Sequence, residues 1–192
     1  DMNESIGGDE AARLSTRLVH HGRIVHLSLD TVRFPDGSTG ELEMIRHPGA
    51  SAVLPVLGSV TEADPEVLLL RQYRYAAGGY VYEVPAGLPD GSDEPWDDCA
   101  RRELEEETGY RAGTLRRMTH IYTTPGFCDE IIRLYVASDL EQGETKLDAD
   151  EFVELKRYRF SEAVEMVRTG KIVDCKSVAT ILYARAFVIG VA

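Results

Sequence analysis

Glu103, Glu106 and Glu107 stand at i, i+3 and i+4 in the run ARRELEEETGY. Residues three and four apart are neighbours on a helix, so three carboxylates crowd one face and repel each other. A hard divalent cation relieves that repulsion, since magnesium is held by one or two carboxylates while waters and substrate phosphates fill its other positions. Three glutamates alone read as well as a solvated acidic face. Their company favours the metal: a Gly/Pro/Asp loop, PAGLPDGSDEP, lies just before, Arg102 precedes the first acid, and Glu94 stands at the helix entrance.

The element that must carry these acids is a helix. Pro95 suits the first helical position with Asp93 or Glu94 as N-cap, nothing breaks the pattern before Thr108, and Gly109 is the expected stop. The loop feeding it is reached from a strand over Tyr80 to Val84, itself preceded by the buried-looking strands ASAVLPVL and EVLLLRQY. Arg71 and Arg74, near the end of the second, are either surface charge or a guanidinium clamp on phosphate. Beyond the helix the text predicts strands near 115–122, 131–137 and 152–160, a helix capped by Ser161, and a last helix from about Asp174 to Ala186.

Upstream, residues 1–14 lack periodicity and read as a tail. Residues 15–47 read as a small antiparallel sheet turning at Pro35-Asp36-Gly37, and such a sheet cannot bury both faces alone. His47-Pro48-Gly49 marks a boundary, with residues 48–192 as the main domain. Strands, helix, strands and helices in that order make an α/β/α sandwich with a mixed sheet.

Composition narrows the partners. With 21 basic against 33 acidic residues, net charge −12, the surface repels a phosphate backbone, which argues against nucleic acid and leaves room for a small cation-neutralised diphosphate. Cys99, Cys128 and Cys175 are an odd number without CxxC spacing, which argues for a reducing compartment, here the cytoplasm. The apolar stretch from Val178 to Ala192 is too short to span a membrane and carries Arg185.

The run from Gly87 to Tyr110 resembles the signature of the Nudix hydrolases: Glu94, seven residues, then Arg102-Glu103-Leu104-Glu105-Glu106-Glu107-Thr108-Gly109-Tyr110. Two departures stand out. Tyr110 replaces the terminal aliphatic residue, and six residues separate Gly87 from Glu94 where the family has five. The segments HHGRIVHL, RHPGASAVLPV, LLLRQYRY, YEVPAG, TTPGFCDE and EAVEMVRTGKIVDCKSV resemble the ADP-ribose pyrophosphatase branch, as does Pro125, the fifteenth residue after Tyr110.

That resemblance implies a Nudix-type α/β/α sandwich behind a small N-terminal β-sheet domain that is exchanged across a homodimer. It also implies hydrolysis of ADP-ribose to AMP and ribose 5-phosphate with Mg²⁺, or Mn²⁺ in its place. Glu103 and Glu107 match the principal metal carboxylates and Glu106 a further one; Ala86 would lend its backbone carbonyl, Glu94 would line the metal site, and Arg102 would orient the acids. Arg74 matches a phosphate contact, and Glu83 and Arg23 match positions that help bind the adenosyl part. The catalytic base would be a glutamate of the late acidic loop, with Glu151 first, for a metal or base role, and Glu154 next. The alternatives are another nucleoside diphosphate sugar, ADP-glucose or GDP-mannose, and a Nudix-fold sensor that binds without hydrolysing.

Overall fold

The computed structural model describes residues 12–23, 25–145 and 153–190. The chain divides into two compact units, residues 1–47 with 124–130, and residues 48–123 with 131–192.

In the first unit, β1 (Ala12–His21), β2 (His26–Arg33) and β3 (Thr39–Arg46) form an antiparallel sheet in that order. The turn between β2 and β3 sits where the PDG sequence puts it: Ser38 N–H donates to the Asp36 carboxylate at 2.9 Å, and Gly37 takes a φ of 84°. β1 begins at Ala12, earlier than the boundary at 15, because Ala12 still pairs with Arg33. The 124–130 loop joins this unit, where Ile45 N–H donates to Phe127 O at 2.7 Å and Arg46 bridges Asp30 and Asp129.

The second unit is built on a mixed sheet. Its strands are β4 (Ala50–Leu57), β5 (Glu66–Arg74), β6 (Gly79–Glu83), the short β7 (Ala86–Gly87), β8 (Tyr110–Tyr122), β9 (Ile131–Gln142) and β10 (Val153–Arg159). The order is β10-β5-β4-β9-β8, with β6 on β5 and β7 on β4. β4 and β9 run parallel and the other pairs antiparallel. β4 is buried over almost its whole length, as a central strand covered on both faces must be.

The pleat sorts its side chains into two cores. Ala52, Leu54 and Val56 of β4 and Leu134 and Val136 of β9 face Ile181 and Ala184 of α3 (Cys175–Phe187) and Phe160 and Ala163 of α2 (Phe160–Arg168). Val53, Tyr135 and Ala137 face Ala100 and Leu104 of α1 (Trp96–Thr108). The sheet therefore lies between α1 and the α2/α3 pair, the α/β/α sandwich expected.

Two helix starts differ from expectation. Pro95 is the N-cap of α1, not its first residue, because Glu94 is engaged by Arg102 and by Asp90 N–H instead of capping. Ser161 lies inside α2, whose N-cap is Arg159; its hydroxyl is drawn to Asp64 at 2.9 Å.

Candidate active site

Helix α1 buries Cys99, Ala100, Leu104 and Thr108, a stripe at helical spacing, and this turns the acids along one side of the buried face. Its start is pinned to the sheet: Ser51 Oγ donates to Trp96 O at 2.9 Å, Tyr135 OH donates to Asp97 at 2.8 Å, and the Arg133 guanidinium lies 3.5 Å from the centre of the Trp96 ring. Its end is closed by Gly109, with φ 72° and its N–H on Glu105 O at 2.8 Å, a geometry that favours glycine.

Arg102 is the hub of the acidic face. Its Nε and Nη2 donate to the two oxygens of Glu94, both at 2.9 Å, its Nη1 donates to Glu103 at 2.7 Å and Glu106 at 3.0 Å, and Nη2 also reaches Leu88 O at 2.8 Å. Such a bidentate carboxylate grip is the geometry guanidinium is made for. The bond to Arg102 holds the Glu94 carboxyl down at about 2, and those to Glu94 first, then Glu103 and Glu106, raise Arg102 above an ordinary guanidinium against the effect of burial.

Glu107 is 5% exposed and accepts the Ala86 N–H at 2.8 Å, which ties β7 to the helix. Gly87 permits the approach. A Cβ there would sit 2.2 Å from the Glu103 carboxylate, so the lack of a side chain is what admits Glu103 to this strand. The loop residue additional to the family pattern lies outside this contact, between Leu88 and Asp93.

The donor set suits a hard cation: carboxylate oxygens on one helix face, a glycine cradle, and no thiolate competing, since burial pushes the Cys99 thiol up to about 11. Among the described residues no group of three His, Cys, Asp or Glu side chains converges as a cage. Magnesium needs none, because substrate phosphates and waters complete its shell.

Arg74 and Glu83 form a second cluster. Arg74 Nε and Nη2 each donate to Glu83 at 2.8 Å, and Lys176 Nζ donates to the same carboxylate, which is 3% exposed. Burial pushes the Glu83 carboxyl up, but Arg74 and Lys176 outweigh it and leave it below its ordinary value. The hydrogen bonds to Glu83 raise Arg74, which also feels the charges of Glu107 and Asp174. Arg71 is separated from this pair: it bonds Glu154 at 3.0 Å and lies 4.0 Å over the Tyr80 ring. Sequence reasoning missed Lys176 and its neighbours Asp174 and Ser177. A signal was there, a lysine in the first turn of a helix, where the macrodipole disfavours a cation unless an acid answers it.

Of the remaining residues predicted for the site, Arg23 lies exposed in the first unit between β1 and β2. Glu151 falls outside the described residues. Glu154 is on β10, bonded to Lys156 at 2.8 Å and to Arg71, and these cations, Lys156 foremost, hold it below the ordinary carboxylate value.

A mixed sheet between helices, with an Arg-organised acid helix laid against a glycine strand, defines a Nudix domain. The NUDIX domain family matches residues 47–174, and the chain belongs to that family. Relatives extend over nearly the whole chain. An ADP-ribose pyrophosphatase of Bacillus subtilis (strain 168) is 35% identical over 91% of this chain and 92% of its own, and one of Mycobacterium tuberculosis is 34% identical over 93% and 85%. A methanol dehydrogenase activator of Bacillus methanolicus is 37% identical over 91% and 92%. Among solved structures, an ADP compounds hydrolase superposes with a TM-score of 0.78 at 21% identity, over 95% of this chain and 96% of its own, and so shares the fold.

Proposed function

We propose that this protein is a Nudix hydrolase that uses a divalent metal, Mg²⁺ first and Mn²⁺ in its place, to split the diphosphate of ADP-ribose into AMP and ribose 5-phosphate. The observation that carries the reading is the acidic side of α1, where Arg102 holds Glu103 and Glu106, Gly87 admits Glu103 to β7, and Glu107 accepts the Ala86 N–H. The names of the two pyrophosphatase relatives supply the substrate.

Glu103, Glu106 and Glu107, with the Ala86 carbonyl, would hold the metal, while Glu94 keeps Arg102 in place behind them. A cation bound there would offset charge developing on the phosphoryl oxygens and acidify the attacking water. Arg74 spends its Nε and Nη2 on Glu83, which leaves its other guanidinium N–H groups for a diphosphate oxygen. Glu83 therefore acts on the substrate through Arg74, and Arg23 is the residue offered to the adenosyl part. Glu151 would take the water proton. Glu154, which Lys156 and Arg71 hold below its ordinary value, is the second candidate.

The exposed apolar side chains Leu18, Val19 and Leu42 of the first unit support a homodimer joined through residues 15–47, which light scattering would test. The charge of −12 argues against a nucleic-acid partner. No helix among the described residues is long and apolar enough to cross a membrane, and a cytoplasmic location is proposed on the cysteine pattern.

One further reading has an observation behind it: a GDP-mannose pyrophosphatase of Escherichia coli O1:K1 / APEC is 38% identical over 126 residues. The test is purified protein with Mg²⁺ and ADP-ribose, ADP-glucose or GDP-mannose in parallel, with products separated. AMP and ribose 5-phosphate formed fastest from ADP-ribose is the expected result. Preference for GDP-mannose would move the substrate, and ADP-ribose binding without any cleavage would make the protein a sensor.

A further inference from the structure

We propose that Lys176 is a positioning residue for the diphosphate, acting through Glu83 on Arg74, and that the first turn of α3 is the part of the fold that aims this arginine. The inference rests on the reading of Arg74 as a phosphate contact.

Glu83 is almost wholly buried and carries two cations on one carboxylate: Arg74 takes both oxygens from the strand side, and Lys176 takes Oε2 from the helix side. Lys176 is itself held by Asp174 at 3.0 Å, and its side chain is 11% exposed. A buried carboxylate bonded to a single flexible arginine can turn about its last torsion. Locked from behind by a second cation, it has one orientation, and the fork of Arg74 copies it.

The same turn of α3 also braces the strand that leads to the acids. Asp174 caps the helix by accepting the Ser177 N–H at 3.0 Å and the Ser177 hydroxyl at 2.6 Å. Ser177 Oγ in turn accepts the Val84 N–H at 2.9 Å, two residues before Ala86, whose N–H is on Glu107. One helix end thus fixes the register of Arg74 and of the β7 strand together. A lysine in the first turn costs that helix favourable dipole energy, and its bond to the buried Glu83 carboxylate offsets that cost.

The test is a double-mutant cycle read two ways: kcat/KM for ADP-ribose with Mg²⁺, and equilibrium affinity for ADP-ribose in EDTA by calorimetry, where no turnover occurs. Lys176→Met should weaken both by about tenfold, the loss expected of one charge-assisted hydrogen bond. Lys176→Arg should recover most of it. In the Arg74→Ala background, Lys176→Met should add almost nothing, since there is no guanidinium left to aim. A full additional loss in that background, or a silent Lys176→Met where Arg74→Ala is damaging, overturns the inference alone. An Arg74→Ala variant with undiminished affinity and turnover removes the phosphate reading and the inference with it. Should Lys176→Met not fold, Lys176→Gln enters the same cycle with the same outcomes.

Discussion

Arg102 and Glu83 each centre a charge network, and the two are assembled in opposite ways. Around Arg102 one cation collects three carboxylates, two of them on its own helix at i+1 and i+4 and the third eight residues back. Around Glu83 one buried carboxylate collects two cations, from strand β5 and from helix α3, the latter 93 positions away in sequence. The first leaves negative charge in excess, which suits a site that must attract a cation. The second leaves an arginine, its side chain 44% exposed, with N–H groups beyond those spent on Glu83, which suits a site that binds phosphate. A diphosphate chelated by metal needs both kinds of neighbour.

Substitutions can pull this contrast apart. Glu107→Gln removes a carboxylate proposed as a metal ligand yet keeps the acceptor for the Ala86 N–H, so turnover should fall on the order of a thousandfold as several kcal/mol of transition-state stabilisation are lost, with the fold retained by circular dichroism. Wild-type turnover in that variant would remove Glu107 from the metal site. Arg102→Ala leaves Glu94, Glu103 and Glu106 without their shared cation; turnover should drop about 10- to 100-fold, as for residues that orient metal ligands, and half-saturation by Mg²⁺ should move to a different concentration. Gly87→Ala places a methyl where the Glu103 carboxylate now lies, and that flexible side chain must swing away, so kcat should fall about tenfold with little change in melting temperature. A large loss of stability there would mean that the backbone moves instead.

The smallest effect is one of pH. The Glu94 carboxyl is held at about 2, below its ordinary 4.5, so it binds fewer protons in the folded chain than in the unfolded one. Its contribution to stability is present above 4.5 and is lost as pH falls toward 2. Glu94→Gln should therefore flatten the acid side of a denaturation profile in that window, and an unchanged slope would show that the Arg102 grip on Glu94 carries no weight in folding.

Much of the first network was legible because it is local. The spacing of Arg102, Glu103, Glu106 and Glu107 on a helix follows from 3.6 residues per turn, and Gly87 and Gly109 advertise the two backbone conditions the helix needs. Even so, the N-cap was displaced to Pro95, since a glutamate can cap or pair with a nearby arginine, and only the placed guanidinium decides which. The second network was half legible. Arg74 and Glu83 stood out through their motifs, but nothing in the text said that they bond each other, or that Glu83 would be buried beneath two cations. Arg71 and Arg74 looked equivalent in RQYRY; the pleat sends one to Glu154 and Tyr80 and the other to Glu83.

What the sequence by itself determined is the acid helix, its glycine stops, the strands around it and the resemblance that they carry, because periodicity and local turn chemistry act over a few residues. What only the tertiary structure decided is the partner of each charge. Lys176 reaches Glu83 because β6 pairs with β5 and α3 packs against the sheet, and a contact between segments so far apart in the chain depends on register and packing that no local pattern encodes.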